Sequence, residues 1–270
     1  MTKTAWVIGA SSGIGEGVAR ELKTSGYTVI GLARRKTNDE IIDRNYYLDL
    51  RERGEVIAAR INHFLTVEGL GITDQQEIEY LWEANYFPGW RKFWQLSKIG
   101  APDLLVISAG AGAYLNLAQW HDYNWLDCKG KEHLGVNELL HINLIAKLWI
   151  CNAMLRAMRR KRTGTIIVIG SRVAANGANA LELYGAAQAG LRGFITSAHR
   201  HPAKRGVTLA LYEPGWTATP MSANLEKHIL EASNKKWGAM ATVEEVAKQI
   251  VQFSQIAMPG EIAGDNRYNA

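Results

Sequence analysis

Short apolar runs alternate with amphipathic stretches along most of the chain. Residues 4–8 form an apolar run that ends at a glycine, as is typical of a strand buried on both faces. Val18, Ala19 and Leu22 then recur at helical spacing until Gly26, where a helix would end. The same two patterns predict strands at 27–33, 45–48, 103–108, 165–169 and 207–211, and helices at 52–64, 132–158, 183–198 and 243–253.

Strands that alternate with helices favour one architecture. Parallel neighbouring strands need crossover connections, and helices supply them. No internal repeat or linker-like stretch divides the chain. We therefore predict a single Rossmann-type α/β domain over residues 1–270, doubly wound, with a mostly parallel sheet and helices on both faces.

Two aromatic-rich stretches interrupt the alternation. They lie near 68–98 and 114–131 and hold five of the nine tryptophans. We interpret both as insertions within the one domain. The first could add a wall or a lid to a binding site or contact another subunit, or it could be an extra helix that its own aromatic side chains hold against the core.

Composition and charge narrow the class of protein. A hydrophobic content of 47% over 270 residues suffices for a sizeable core. The net charge of +5 would suit an acidic partner. However, the densest basic run, 159–162, falls where a predicted helix ends, and cations are favoured there. We therefore prefer a solvated basic surface and expect no nucleic-acid partner.

The cysteines and the apolar runs suggest where the protein works. Cys128 and Cys151 lack the spacing of a zinc or redox motif, so we expect no metal site and a reducing compartment. Neither a signal sequence nor an apolar run of ~20 residues is recognised. The expectation is a cytoplasmic protein without a membrane partner.

The turn after the first strand carries the first sign of chemistry. Gly9, Gly13 and Gly15 allow a tight turn into a helix, whose free N–H groups and dipole favour a pyrophosphate. Because this triplet follows the first strand and opens a helix, it predicts a dinucleotide site. The predicted contacts in this turn also include Ser11, Ser12 and Ile14.

The same turn allows a second interpretation. Gly9-Ala10-Ser11-Ser12-Gly13 matches the G-x-S-x-G elbow that carries the nucleophilic serine of hydrolases. In that fold several strands precede the elbow, whereas only one precedes it here, and an elbow does not explain Gly15. The dinucleotide interpretation is therefore preferred.

The end of the second strand bears on the choice between NAD and NADP. About twenty residues beyond the glycine fingerprint, an NAD site places an acid on the ribose hydroxyls. Here the chain reads Arg34-Arg35-Lys36. Guanidinium groups fit a 2′-phosphate in charge and geometry. We therefore predict NADP(H), held first by Arg34 with Arg35 or Lys36 assisting. A charged turn exposed to solvent would have the same sequence pattern.

Polar residues further along recur at intervals that match one known family. Asn143 lies 28 positions before Ser171, and Ser171 lies 13 positions before Tyr184. Together with the glycine turn, these intervals resemble the short-chain dehydrogenase/reductase family over nearly the whole chain. The pattern is completed by Ala109-Gly110, Pro214-Gly215 and Thr219.

The resemblance implies a role for each of these residues. Tyr184 would exchange a proton with the substrate oxygen, Ser171 would hydrogen-bond that oxygen, and Asn143 would bind a water in a proton relay. Hydride would come from the cofactor, so the protein positions the reactants and manages the proton. Asp49 would contact the adenine. The other implied cofactor contacts are Leu50, Ala109, Gly110, Pro214, Gly215, Thr217 and Thr219.

One departure from the family pattern affects the chemistry. The family carries Tyr-x-x-x-Lys, whereas Gln188 stands one helical turn after Tyr184. A lysine there would bind the nicotinamide ribose and favour tyrosinate, but glutamine is an uncharged hydrogen-bonding group. Oxidation needs tyrosinate and reduction needs protonated tyrosine, so we expect mainly slow reduction. Arg192, two turns beyond Tyr184, is expected to be too distant to replace the lysine.

These observations favour one function and leave two alternatives open. The leading hypothesis is NADPH-dependent reduction of a ketone or aldehyde on a small to medium, partly apolar molecule, with Trp216, Met221 and Trp237 lining its pocket. Gln188 keeps open a cofactor-binding protein with weak or no turnover, acting as a sensor or assembly partner. Isomerisation or elimination on the same scaffold is the other alternative. The resemblance also implies a homodimer or homotetramer through the helices at 132–158 and 183–200.

Overall fold

The fold is drawn from a computed structural model that describes residues 2–74, 100–112, 125–126, 132–223, 231, 234–235 and 238–264. Most of both expected insertions lies outside the described residues. In this part of the chain the strands are β1 (Thr4–Ile8), β2 (Thr28–Ala33), β3 (Arg44–Tyr47), β4 (Leu104–Ile107), β5 (Trp125–Leu126), β6 (Glu132–His133), β7 (Gly164–Ile169), β8 (Val207–Glu213) and β9 (Ile262–Gly264).

The helices connect these strands in sequence. They are α1 (Gly13–Thr24), α2 (Gly54–Leu70), α3 (Val136–Lys161), α4 (Val173–Asn176), α5 (Glu182–Ala198), α6 (Arg200–Ala203), α7 (Pro220–Ala223) and α8 (Val243–Ile256). The predicted alternation of strands and helices is confirmed.

Seven strands form one parallel sheet in the order β3-β2-β1-β4-β7-β8-β9. From β1 the chain moves outward to β2 and β3 and then returns to β4 on the other side of β1. The order therefore reverses between β1 and β4, and a crevice forms at the carboxyl ends of strands at such a point. The predicted Rossmann-type α/β class is confirmed.

Helices cover both faces of this sheet. On one face α1 packs against α8, and both bury apolar side chains against the strands. On the other face α2 packs against α3, and α5 adds Leu191 and Ile195 to the same apolar core. The central strands β1 and β4 consist almost entirely of buried apolar residues, as expected for a sheet with two covered faces.

Local signals explain where several helices begin and end. Gly26, with a φ of 82°, follows the end of α1, where a left-handed residue stops a helix. Thr242 and Glu245 form a reciprocal capping box at the start of α8, with hydrogen bonds of 3.1 and 2.8 Å.

The predicted helix at 132–158 needs a correction. Residues 132–133 pair with 125–126 as the antiparallel strands β6 and β5, so the helix begins only at Val136. It also contains a π-helical turn at His141–Ile145, which periodicity alone does not reveal. Strand β9 was not predicted, since three residues are too few for a recognisable alternation.

Helix α3 is long and apolar enough to cross a membrane by length and composition alone. Half of its most apolar 18-residue window is buried, however, and it packs against α2 and the sheet as a core helix does. Among the described residues, this is the one helix with such a length and composition.

Candidate active site

A cavity of about 1300 Å³ opens at the carboxyl ends of the central strands. The segments after β1, β2, β3, β4, β7 and β8 line it, so it lies where the strand order reverses. Binding pockets for drug-sized ligands occupy roughly 300–1,000 Å³, so this cavity can hold a dinucleotide together with a second molecule.

The glycine turn after β1 is built for close approach of the backbone. Gly9 has a φ of 89°, and a Cβ there would come within 2.7 Å of the backbone nitrogen of Ala109. A Cβ at Gly15 would collide with the carbonyl oxygen of Gly9. The side chain of Ser12 does not cap α1, although Ser12 and Gly13 line the cavity. The start of α1 therefore fits a phosphate.

Arginines after β2 border the same end of the cavity. Arg35 donates from Nη2 to Oγ of Ser12 at 2.9 Å, which ties it to the glycine turn. Arg34 also lines the cavity, and its half-exposed side chain lies 4.0 Å from Asp49. Lys36 instead pairs with Asp39 at 2.8 Å and is 80% exposed. The structure thus brings Arg34 and Arg35 to the predicted phosphate site but not Lys36.

A third guanidinium at this end was not predicted. Arg51 binds the carboxylate of Asp49 through Nε at 2.9 Å and Nη2 at 2.6 Å. Burial by itself would raise the pKa of Asp49, but the hydrogen bonds from Arg51 outweigh it and hold that pKa below its ordinary value. Asp49 lines the cavity as an ionised, paired group, and its predicted contact with adenine stays a prediction.

Ser171 and Tyr184 meet at the cavity. Ser171 follows the end of β7 and Tyr184 lies in the first turn of α5, and the serine hydrogen-bonds the tyrosine side chain. Burial raises the pKa of Tyr184, although the hydrogen bond with Ser171 opposes that shift. The tyrosine is therefore protonated at neutral pH and can act as a proton donor.

Asn143 lies within the π-helical turn of α3, and its side chain binds backbone. Its Nδ2 donates to the carbonyl oxygens of Ala111 at 2.9 Å and Leu139 at 3.0 Å, and its Oδ1 accepts from the N–H of Ala111 at 3.1 Å. These bonds fix the loop after β4, which lines the cavity. The predicted water relay stays a prediction.

Gln188 was predicted as a site residue, whereas Lys147 was not. Gln188 is 1% exposed, and its Oε1 has no hydrogen-bond partner in the described part of the chain. It is not among the described residues that line the cavity, whereas Lys147 on α3 is. Lys147 is 3% exposed and donates from Nζ to the carbonyl of Ile169 at 2.8 Å. Its spacing of four residues from Asn143 was the signal that could have found it.

Arg192 pairs with a buried glutamate. It binds the fully buried carboxylate of Glu213 through Nε at 2.8 Å and Nη2 at 3.0 Å. Burial raises the pKa of Glu213 even though Arg192 opposes the shift. The pair therefore joins α5 to the end of β8 and does not take the place of a lysine beside Tyr184.

The segment after β8 also lines the cavity. Trp216 and Met221 line the cavity, and Met221 packs against Gly112, where a Cβ would come within 2.8 Å of its Cγ. Ser222 donates to the carbonyl of Thr217 at 2.8 Å and holds the segment in place. Trp237 lies outside the described residues.

Most of the predicted site residues share this one cavity. The residues that line it are Gly9, Ser11, Ser12, Gly13, Ile14, Arg34, Arg35, Asp49, Leu50, Ala109, Gly110, Asn143, Ser171, Tyr184, Pro214, Gly215, Trp216, Thr217, Thr219 and Met221. Gly15 supports the turn from behind, through its contact with Gly9.

Comparison with known proteins gives one family. A family model described as short chain dehydrogenase matches residues 95–230. The protein 3-oxoacyl-(acyl-carrier-protein) reductase FabG of Haemophilus influenzae is 32% identical over 250 residues, which cover 92% of this chain and 88% of that protein. The reductase of the same name from Escherichia coli is 32% identical over 223 residues, which cover 83% of this chain and 77% of that protein.

A solved structure extends the comparison to the fold. The crystal structure of a protein described as ribose-5-phosphate isomerase from Brucella melitensis superposes with a TM-score of 0.69. The match covers 97% of this chain and 90% of that one, at 23% identity. At this identity the likeness shows the fold alone.

Proposed function

The chain belongs to the short-chain dehydrogenase family and is an NADP-dependent oxidoreductase that reduces carbonyl groups, and we propose that it reduces the keto group of a small to medium, partly apolar molecule. The observation that carries this proposal is the hydrogen-bonded pair of Ser171 and protonated Tyr184 at a cavity that also contains the glycine turn. An acid beside a dinucleotide site is the arrangement that reduction of a carbonyl requires.

The phosphate end of the cavity suits the cofactor. The uncapped start of α1 would hold the pyrophosphate, and Arg34 and Arg35 would bind the 2′-phosphate. Arg35 is already fixed by its bond to Ser12, so less side-chain freedom is lost when it binds an anion.

The chain's own part in the reaction is proton delivery. When bound, the reduced nicotinamide supplies the hydride that adds to the carbonyl carbon. Tyr184 donates its hydroxyl proton to the carbonyl oxygen, and Ser171 hydrogen-bonds the same oxygen and orients the substrate. The resulting phenolate of Tyr184 regains a proton from solvent before the next turnover.

Apolar side chains in the cavity point to a substrate with an apolar portion. Trp216 and Met221 contribute apolar surface to the lining. The relatives named 3-oxoacyl-(acyl-carrier-protein) reductase make 3-oxoacyl thioesters the first compounds to try. We also propose that the chain forms a homodimer or homotetramer through α3 and α5.

Two measurements test the proposed function. NADPH and NADH are titrated separately while tryptophan fluorescence is followed, and a panel of ketones, aldehydes and 3-oxoacyl thioesters is then assayed with NADPH. We expect tighter binding of NADPH and turnover of at least one keto compound. Tyr184→Phe should retain NADPH binding and lose at least about 100-fold in kcat, since general acid catalysis contributes at least that much.

The same assays also test the alternative of a cofactor-binding protein without turnover. Tight binding of NADPH without oxidation of NADPH by any compound would favour a cofactor-binding sensor. Failure of both nucleotides to bind would overturn the proposed function altogether.

A further inference from the structure

A buried carboxylate lies at the end of the cavity that carries the arginines. Asp49 is 5% exposed, follows β3 by two residues and lines the cavity together with Arg34 and Arg51. A buried carboxylate is stable only where hydrogen bonds or opposite charges satisfy its oxygens. The partners of these two oxygens therefore decide what else Asp49 can bind.

Arg51 occupies both oxygens of Asp49. Its Nε donates to Oδ1 at 3.1 Å and to Oδ2 at 2.9 Å, and its Nη2 donates to Oδ2 at 2.6 Å. The backbone N–H of Arg51 donates to Oδ1 at 3.0 Å. An ionised carboxylate offers about four lone-pair sites. One residue makes all of these contacts, and together they fill the acceptor capacity of Asp49.

A neutral amino group competes poorly for this carboxylate. Hydrogen bonds from a guanidinium to a carboxylate are charge-assisted and roughly twice as strong as those between neutral groups. The amino group at position 6 of adenine is a neutral donor, and it would have to displace one of them. Arg34, whose Nε lies 4.0 Å from Oδ1, adds a second positive charge beside Asp49. The pair of Asp49 and Arg51 should therefore persist when a nucleotide binds.

The polar group that this pair presents to a ligand is a donor. The planar guanidinium has five N–H donors, and the bonds to Asp49 use those of Nε and one side of Nη2. Among the described residues, Nη1 of Arg51 has no hydrogen-bond partner. The side chain of Arg51 is 52% exposed and lines the cavity. A ligand at this end therefore meets N–H groups and not a free carboxylate.

We propose that Arg51, and not Asp49, contacts the polar edge of the purine base, so that the site binds a base with oxygen at position 6 as well as it binds adenine. This inference rests on the proposed placement of the cofactor in the cavity. Adenine has an amino donor at position 6, whereas hypoxanthine has a carbonyl acceptor there. A free carboxylate would attract the amine and repel the carbonyl. A guanidinium can donate to that carbonyl and to the ring nitrogens of either base.

Two cofactors that differ only at position 6 give the first test. NADPH and its hypoxanthine analogue, reduced nicotinamide hypoxanthine dinucleotide phosphate, are titrated separately while tryptophan fluorescence is followed. We expect their Kd values to agree within about threefold, because no hydrogen bond to a charged group, which is worth about tenfold or more, depends on the amino group. A Kd of the analogue above that range would overturn the inference.

Removal of the guanidinium gives the second test. In Arg51→Met the carboxylate of Asp49 is free to accept from the amino group of adenine, so the Kd of the analogue should rise to about tenfold that of NADPH. Arg53→Met is the matched control, because Arg53 is 82% exposed, pairs with Glu55 at 3.7 Å and is not among the described residues that line the cavity. It should leave the ratio of the two Kd values unchanged. Arg51→Leu replaces the methionine variant if that variant does not fold.

Persistence of the pair in the complex gives an independent measurement. The Nε–H signals of isotope-labelled arginine are recorded by NMR before and after saturation with NADPH, and Arg51→Lys identifies the signal of Arg51. A charge-assisted bond slows exchange of the Nε hydrogen with water. We expect exchange at Arg51 to stay slower than at the exposed Arg53 in both states. Exchange as fast as that of Arg53 in the complex would show that the pair opens and would overturn the inference.

The outcomes separate this inference from the proposed function. The same ratio of Kd values in Arg51→Met as in the unmodified protein would overturn the role of Arg51 and leave the cofactor site in place. Bound NADPH without turnover would overturn only the proposed reduction, since the choice of base is measured by binding. Failure of both cofactors to bind the unmodified protein would overturn the proposed function and this inference with it.

Discussion

The hydroxyl of Tyr184 keeps its proton at neutral pH because burial raises its pKa more than the bond with Ser171 lowers it. Reduction uses the protonated form and oxidation uses the phenolate. We therefore expect kcat for oxidation with NADP⁺ to rise about tenfold per pH unit below the pKa of Tyr184. The ratio of reduction to oxidation should fall over the same range. Initial rates in both directions from pH 6 to 10 measure this ratio. Faster oxidation than reduction at pH 7 would contradict the prediction.

Burial of Lys147 should lower the stability of the fold. Burial lowers its pKa from 10.5 in the unfolded chain to about 8, so the unfolded state binds the proton more tightly. The resulting destabilisation is complete below pH 8 and disappears as the pH rises towards 10.5. Lys147→Met should therefore raise the free energy of unfolding by about 1–4 kcal/mol at pH 7, as replacements of buried charges by apolar groups do.

Urea denaturation at pH 7 and pH 10 measures this effect, which should be smaller at the higher pH. Lys161→Met is the control, because Lys161 forms a partly exposed pair with Asp103 and should change stability by less than about 1 kcal/mol. A loss of stability in Lys147→Met at pH 7 would show that the bond to Ile169 matters more than burial of the charge.

At the scale of elements, the pair of Arg192 and Glu213 fastens α5 to the end of β8. Arg192→Met would leave the fully buried carboxylate without its main partner, while Arg172 still contributes some attraction. We expect a loss of about 3 kcal/mol in the free energy of unfolding at pH 7. Urea denaturation measures this loss.

The pH dependence of that variant follows from the sign of the shift. The pKa of Glu213 is raised above its unfolded value, so the native state gains stability as the pH falls towards 4.5. The penalty of Arg192→Met should therefore shrink in acid. Adding Glu213→Gln should recover part of the loss at pH 7, and Arg20→Met, which breaks the exposed pair with Glu16, should change stability by less than about 0.5 kcal/mol.

Elements with many apolar residues were predictable from the sequence, whereas those that depend on their neighbours were not. Strand β1 has its predicted bounds because its apolar run stops at Gly9. The start of α3 was placed too early because β6 shares the same mixed pattern. β9 is a strand only because it pairs with β8, and three residues hold too little information for a prediction.

The site residues also differ in how far the sequence predicts them. The resemblance to the family predicted Ser171 and Tyr184, and the structure brings both to the cavity because they lie at a strand end and a helix start. Helical spacing also placed Gln188 beside Tyr184, but which side chain lines the cavity depends on how α3 and α5 pack on the sheet. The burial of Lys147 against Ile169, which lies 22 residues away in the sequence, could not be read from either segment alone.

At the scale of the whole molecule, the cavity is lined by the segments after six strands and contacts the helices of both layers. A ligand that fills it joins segments from residue 8 to residue 222 and binds the folded state only. Cofactor binding should therefore stabilise the entire fold, and the strength of that effect reports on the 2′-phosphate site without any need for a substrate.

Thermal unfolding in the presence of NADPH or NADH tests this coupling. At a concentration 100 times its Kd, NADPH should add about 2.7 kcal/mol, or roughly 5–10 °C in Tm for a chain of this size. NADH at the same concentration should give a smaller shift, because the guanidinium groups lack their phosphate.

Arg35→Met should remove most of the difference between the two nucleotides, since Arg35 is fixed beside the start of α1 by Ser12. Lys36→Met removes the same charge from the neighbouring residue, whose ammonium pairs with Asp39, and should preserve that difference. Equal shifts of Tm by both nucleotides in the unmodified protein would mean that Arg34 and Arg35 do not bind the 2′-phosphate.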